Sequence, residues 1–179
     1  MKRRSSIGLC VAIMIATLFT PSSAMAADDI FLKISGIQGE VLDSVHKGEL
    51  EILSWSWGES TGTAKTKRGV LPAACIQDVS LAKGIDAASP QLILNSVAGV
   101  VAPEAVLTMR RSGKGQQEFL VLKMTNVTVV SYQISSSGES PIETFVLRFE
   151  SMKGEYFRQK PDGTLDTPIT FDISGGVCN

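Results

Sequence analysis

The sequence predicts a mainly β domain, a barrel or sandwich carrying one short helix, and three observations point there. About eight short apolar runs with two-residue alternation recur along the chain. Clusters of Gly, Pro and Ser separate them at turn-like spacings, and a single stretch has the start and stop residues of a helix. The composition, 44% hydrophobic and 20% charged over 179 residues, suits one globular domain, and no internal repeat is evident.

The first 26 residues stand outside that domain. Lys2-Arg3-Arg4 precede an apolar run from Ile7 to Thr20, and Ser23-Ala24-Met25-Ala26 offers an A-x-A cleavage site. These parts together read as a secretory signal peptide over residues 1–26, cut between Ala26 and Ala27. The apolar run, about 14 residues, falls short of the roughly 20 that span a bilayer. The twin arginines lack closely following apolar residues, which favours general secretion, and Cys10 lies too early for a lipoprotein anchor. Residues 27–179 then form the domain, where 14 basic residues remain against 18 acidic ones, a net charge of −4. That balance argues against nucleic acid as a partner. No later segment is apolar enough for stable membrane insertion.

Of the three cysteines, Cys75 and Cys178 stay with the domain. In an oxidising compartment they form a disulfide, closing a loop of about 100 residues and stabilising by roughly 4 to 5 kcal/mol on the chain-entropy model. Two free thiols is the other reading.

In chain order, Asp29 to Ile34 is a strand, and the glycines of Ser35-Gly36-Ile37-Gln38-Gly39-Glu40 mark a tight connection. Glu49 to Gly58 holds both tryptophans, with a fault in its alternation. Leu50 and Ile52 share one parity while Leu53, Trp55 and Trp57 share the other. Either both faces are apolar, or a bulge near Ile52-Leu53 re-aims the indoles. Glu59 to Ala74, with Gly62, Gly69 and Pro72, reads as an irregular insert. It carries Lys65, Lys67 and Arg68, the densest basic cluster of the domain, as a solvated tip or a contact loop.

Ile76 to Lys83 alternates as a strand. Ser89 as N-cap, Pro90 at the first helical position and Gly99 as left-handed stop then frame a helix of two to three turns. Leu92, Ile93, Val97 and Ala98 are its apolar side. Ala105 to Met109, Glu118 to Ile134, Ile142 to Phe149, Met152 to Gln159, and Ile169 to Ile173 complete the β material.

Catalytic chemistry has little to stand on. His46, the single histidine, sits in a polar loop with no second histidine or neighbouring cysteine, so it reads as a surface residue and a zinc site has no ligand set. Neither a G-x-S-x-G elbow nor a phosphate-binding glycine loop occurs. Asp78, Lys83 and Asp86 read as a solvated ion-pair group. Asn126-Val127-Thr128 is a glycosylation sequon, which matters only in a eukaryotic secretory pathway. The chain reads as non-enzymatic, with no cofactor or metal.

Several ordered motifs carry a family resemblance. They are Phe31-Leu32-Lys33-Ile34 with Gly36-Ile37-Gln38-Gly39-Glu40, then Ser54-Trp55-Ser56-Trp57-Gly58, then Asp78, Leu81, Lys83 and Asp86 leading into Ser89-Pro90-Gln91-Leu92. Leu107 to Gly113 follows, and Glu143, Leu147, Phe149, Tyr156 and Gln159 complete the set. In these residues the chain resembles the Hcp family, the haemolysin-coregulated proteins that form the inner tube of type VI secretion systems.

The resemblance implies a compact β-barrel of two packed antiparallel sheets with one short flanking α-helix. It further implies a homohexameric ring, stacking into a hollow tube that carries small effector proteins and meets a spike protein. By position, Glu59 to Ala74 is the family's ring-stacking loop, more basic here and less rich in glycine. The leader departs from the family, whose tube subunits are cytoplasmic before secretion. An exported, periplasmic or extracellular protein follows if the leader is real, and the family's ordinary start follows if synthesis begins at Met25. The alternative function is an exported Hcp-like binding or carrier module that works without a contractile machine.

Overall fold

A computed structural model describes residues 28–174 other than 67–68, 113–114 and 139. In chain order its elements are β1 (Asp29–Ile34), β2 (Leu50–Glu51), β3 (Ser54–Ser56), β4 (Glu59–Thr66), β5 (Gly69–Ile76) and β6 (Val79–Gly84). Then come α1 (Ser89–Ala98), β7 (Val101–Arg110), β8 (Glu118–Ser135), β9 (Ile142–Arg148), β10 (Ser151–Tyr156) and β11 (Ile169–Ser174). Among the described residues the fold is mainly β with one helix, as expected. Nine of its strands form one antiparallel sheet, in the order β2-β1-β7-β8-β9-β6-β3 with β10 branching from β8 and β11 pairing with β10, where two packed sheets were expected; β4 and β5 form a separate ribbon.

The tryptophan segment explains how that sheet coils round its core. Its path begins at β2 and ends at β3, which are consecutive pieces of one stretch. At the junction the Ile52 amide donates to the Ile30 carbonyl at 2.9 Å, and the Leu53 amide donates to the Ala82 carbonyl at 2.8 Å. One residue pairs with β1 and the next with β6. This interruption is the expected fault in the alternation, and it settles that reading. Leu50 and Ile52 point into the core, Leu53 is 57% exposed, and Trp55 and Trp57 pack inward again. The Trp57 indole N–H reaches the Gln77 carbonyl at 2.9 Å.

Strand β8 is long enough to take two partners along one edge. Its first part pairs with β10 and its last part with β9, so β9 and β10 run end to end beside it. Asn126, near the handover, has a left-handed φ of 48°, which asparagine tolerates better than most residues, and its side-chain amide donates to Glu150. Leu32, Leu81, Leu107, Met124, Phe145 and Leu147 fill the core between these strands.

Two local readings change. Glu59 to Ala74 is regular: β4 and β5 pair without interruption from Glu59↔Ile76 to Thr66↔Gly69. Glycine and proline suggested a loop, but a two-stranded ribbon tolerates Pro72 because one side of each strand has no ladder partner. Helix α1 is capped by Ala88 without a side-chain bond, while Ser89 Oγ, in the first turn, accepts the Asp86 amide at 3.0 Å. Gly99 does close it, at a left-handed φ of 62° with its N–H on the Asn95 carbonyl. Of the four apolar residues expected to face inward, only Leu92 is buried, and Val97 is 84% exposed.

Candidate functional site

A cleft of about 860 Å³ lies at the junction of β1, β2 and the turn after β6. The segment between β1 and β2 forms one wall. It is held by the Gly39 amide on the Gly48 carbonyl at 2.8 Å and the Gly48 amide on the Val41 carbonyl at 2.8 Å. Gly39 is required there, because a Cβ at this position would lie 2.2 Å from the Glu49 carbonyl oxygen.

Arg110, at the end of β7, organises the floor. Its guanidinium donates to Asp29 Oδ2 at 2.9 Å and to Asp43 Oδ2 at 2.8 Å, and it lies 4.8 Å over the Phe31 ring. Asp43 Oδ1 also accepts the amides of Val45 and His46, at 2.8 and 3.2 Å. The Val45 amide, the Arg110 guanidinium and the His46 amide together hold the Asp43 carboxyl at about 2, well below its ordinary value.

His46 is a correction to the sequence reading: it is buried, at 5% exposure. Its ring stacks on Phe31 with centroids 4.1 Å apart, and Nδ1 lies 2.9 Å from Glu49 Oε2. Nε2 lies 3.4 Å from Glu118 Oε1, near enough for charge attraction but without a well-formed hydrogen bond. Stacking on an aromatic ring and a local carboxylate bury it, and neither is visible in a polar loop sequence.

A second charged cluster sits behind the cleft. Lys83 Nζ donates to Glu143 Oε1 at 2.7 Å, Asp86 Oδ1 at 2.6 Å and the Gly84 carbonyl at 2.7 Å. The Tyr132 hydroxyl donates to the other Glu143 oxygen. Burial first, and then the Glu143 carboxylate, push the Tyr132 phenol well above its ordinary range. The expected solvated group of Asp78, Lys83 and Asp86 is therefore corrected twice. Lys83 and Glu143 are out of water, and Asp78 pairs instead with Arg148, at 3.0 Å. The signal was in the alternation: Lys83 continues the inward parity of Val79 and Leu81, as Glu143 does that of Phe145 and Leu147, and the two face each other in register.

Of the sequence-predicted site residues, Ala26 and Ala27 at the cleavage site, together with Cys178, Lys67 and Arg68, lie outside the described residues. Cys75 lies on β5 opposite Ser60, and Lys65 lies on β4 opposite Val70. Among the described residues no group of three or more His, Cys, Asp or Glu is arranged to hold a metal, and no helix is long and apolar enough to cross a membrane. The charged side chains of both clusters serve one another, and the cleft is a surface with acidic walls and apolar rims.

Comparison with known proteins gives that surface its setting. The family model described as "Type VI secretion system effector, Hcp" matches residues 31–156. Protein hcp1 of Pseudomonas aeruginosa is 34% identical over 145 residues, spanning 78% of this chain and 90% of that protein. The crystal structure of Hcp1 from Salmonella typhimurium aligns with a TM-score of 0.66 at 33% identity, covering 83% of this chain and 95% of that one. A type VI secretion system effector from Yersinia pestis aligns at 0.68 and 29% identity, covering 82% of this chain and all of that one. The chain belongs to the Hcp family of type VI secretion and is an Hcp-like tube protein.

Proposed function

We propose that this protein assembles as a homohexameric ring, that its rings stack into a hollow tube, and that the tube delivers small effector proteins under a spike protein. Family membership over residues 31–156 is the observation that carries this reading. A carrier module independent of a contractile machine keeps the same fold but has no feature of its own to favour it. Electron microscopy of the purified domain tests the proposal: rings with an open centre are expected, and particles of single-subunit size would overturn it.

Export belongs to the same proposal. The leader over residues 1–26 is removed, the domain of residues 27–179 begins at Ala27, and Cys75 and Cys178 pair in the oxidising compartment. Initiation at Met25 with the methionine trimmed would begin at Ala26 instead, one alanine longer. Intact mass of the native protein separates the two, and non-reduced peptide mapping reads the disulfide. An Ala26 terminus in a cytoplasmic pool would return the protein to subunits that need no leader.

A further inference from the structure

Helix α1 is held by less apolar burial than its ordering requires. It has ten residues, and isolated helices shorter than about 12–15 residues are marginal in water. Of its large apolar side chains only Leu92 reaches the core, while Leu94 and Val97 are exposed. Its N-cap, Ala88, supplies no side-chain bond, and it has neither an acidic residue in its first turn nor a basic one in its last to offset the dipole. Burying one leucine returns less free energy than ordering a segment of this length costs.

A polar joint at the start of the helix completes the attachment. Asp86 Oδ1 accepts the Ala88 amide at 2.8 Å and the Lys83 ammonium at 2.6 Å, so one oxygen serves both the helix and the sheet. The Asp86 carbonyl takes the Ser89 amide at 3.1 Å, and Glu40 Oε1 takes the Ala87 amide at 3.1 Å. Behind Asp86, Lys83 is fixed by Glu143 of β9, which Tyr132 of β8 holds in turn. The other end of the helix closes on itself, the Gly99 and Val100 amides both going to the Asn95 carbonyl. Gly99, in left-handed backbone just before β7, can change its dihedral angles at little steric cost.

We infer that residues 87–99 form a flap, latched at Asp86 and hinged at Gly99, which opens as one unit while the sheet stays folded. Segments with few buried apolar contacts open at lower free energy than the core strands beneath them. Opening lifts Leu92 out of the core and uncovers the part of β8 that α1 packs against. Asp86 sets how often this happens, because its carboxylate bonds both sides of the joint at once. Losing it does not strand a charge, since the Lys83 ammonium keeps Glu143 as its partner within the sheet.

Native-state amide hydrogen exchange tests it, read residue by residue in wild type, Asp86→Ala and Asp86→Asn. In wild type the amides from Leu92 to Ala98 should exchange together, at least about tenfold faster than those of β8 and β9. Asp86→Ala should speed the helix amides by about tenfold or more, the equilibrium worth of one hydrogen bond to a charged group, and leave the strand amides within about twofold. Asp86→Asn is the milder change, because it keeps an acceptor oxygen for the Ala88 amide and removes only the charge facing Lys83. Its helix amides should fall between those of wild type and Asp86→Ala. Helix amides that exchange in step with β8 and β9 in wild type would overturn the inference, since α1 then opens only with the whole fold. Helix rates unchanged in both variants, or helix and strand rates raised by the same factor, would overturn it as well.

Discussion

Lys83 and Glu143 face each other across β6 and β9 with Nζ 2.7 Å from Oε1, one 1% and the other 0% exposed. A charge held there is tolerable only while its partner remains. Glu143→Ala, which leaves the buried Lys83 ammonium with Asp86 as its remaining counter-charge, should cost about 3 kcal/mol of unfolding free energy, the low end of the range for breaking a buried pair. Lys83→Met with Glu143→Leu should recover much of that loss. Urea melts of the two variants check this, and a double variant no more stable than Glu143→Ala would contradict it.

Acid should act through Asp43. Its folded pKa of about 2 lies below the ordinary 3.8, so its contribution is fully present above pH 3.8 and is lost as pH falls towards 2. Thermal midpoints of wild type should drop through that window. Asp43→Asn should show a shallower drop, the difference between the two curves being the contribution of this carboxyl.

Alkali should act through Tyr132. A phenol whose folded pKa is raised contributes stability below the ordinary 10.0, and that contribution is lost as pH rises above it. Ultraviolet titration should therefore show Tyr132 remaining neutral in folded protein at pH values where a free tyrosine ionises. Tyr132→Phe should remove this signal and flatten the alkaline loss of stability.

Gly154 and Phe171 are cross-strand partners, and a Cβ on Gly154 would lie 2.1 Å from the Phe171 ring. That ring also stacks on Trp57, with centroids 6.5 Å apart and planes 8° from parallel. Gly154→Ala should push Phe171 outward and open the stack. The expected result is a red shift in tryptophan emission at a stability cost of about 1–3 kcal/mol, the usual range for overpacking. Unchanged emission would mean that Phe171 does not shield Trp57.

Much of this was legible because strand alternation and burial obey the same geometry. The parity break at Ile52-Leu53 marked the point where the tryptophan segment passes from β1 to β6. Gly99 marked the end of the helix for the steric reason that places glycine in left-handed backbone. Where the reading failed, a distant partner decided. His46 is buried under the Phe31 ring, and Arg110 gathers Asp29 and Asp43 from across the fold. The ribbon from Glu59 to Ile76 forms despite its glycines and proline because its ladder continues one begun at Leu53 and Ala82. Composition over a short window registers none of these.

Ring assembly is the property on which the proposed function of this chain depends. Multi-angle light scattering on the mature protein, at micromolar concentration and above, measures it without a machine, a cargo or a partner. Six subunits in one particle is the predicted result, and a single-subunit mass at every concentration would contradict it.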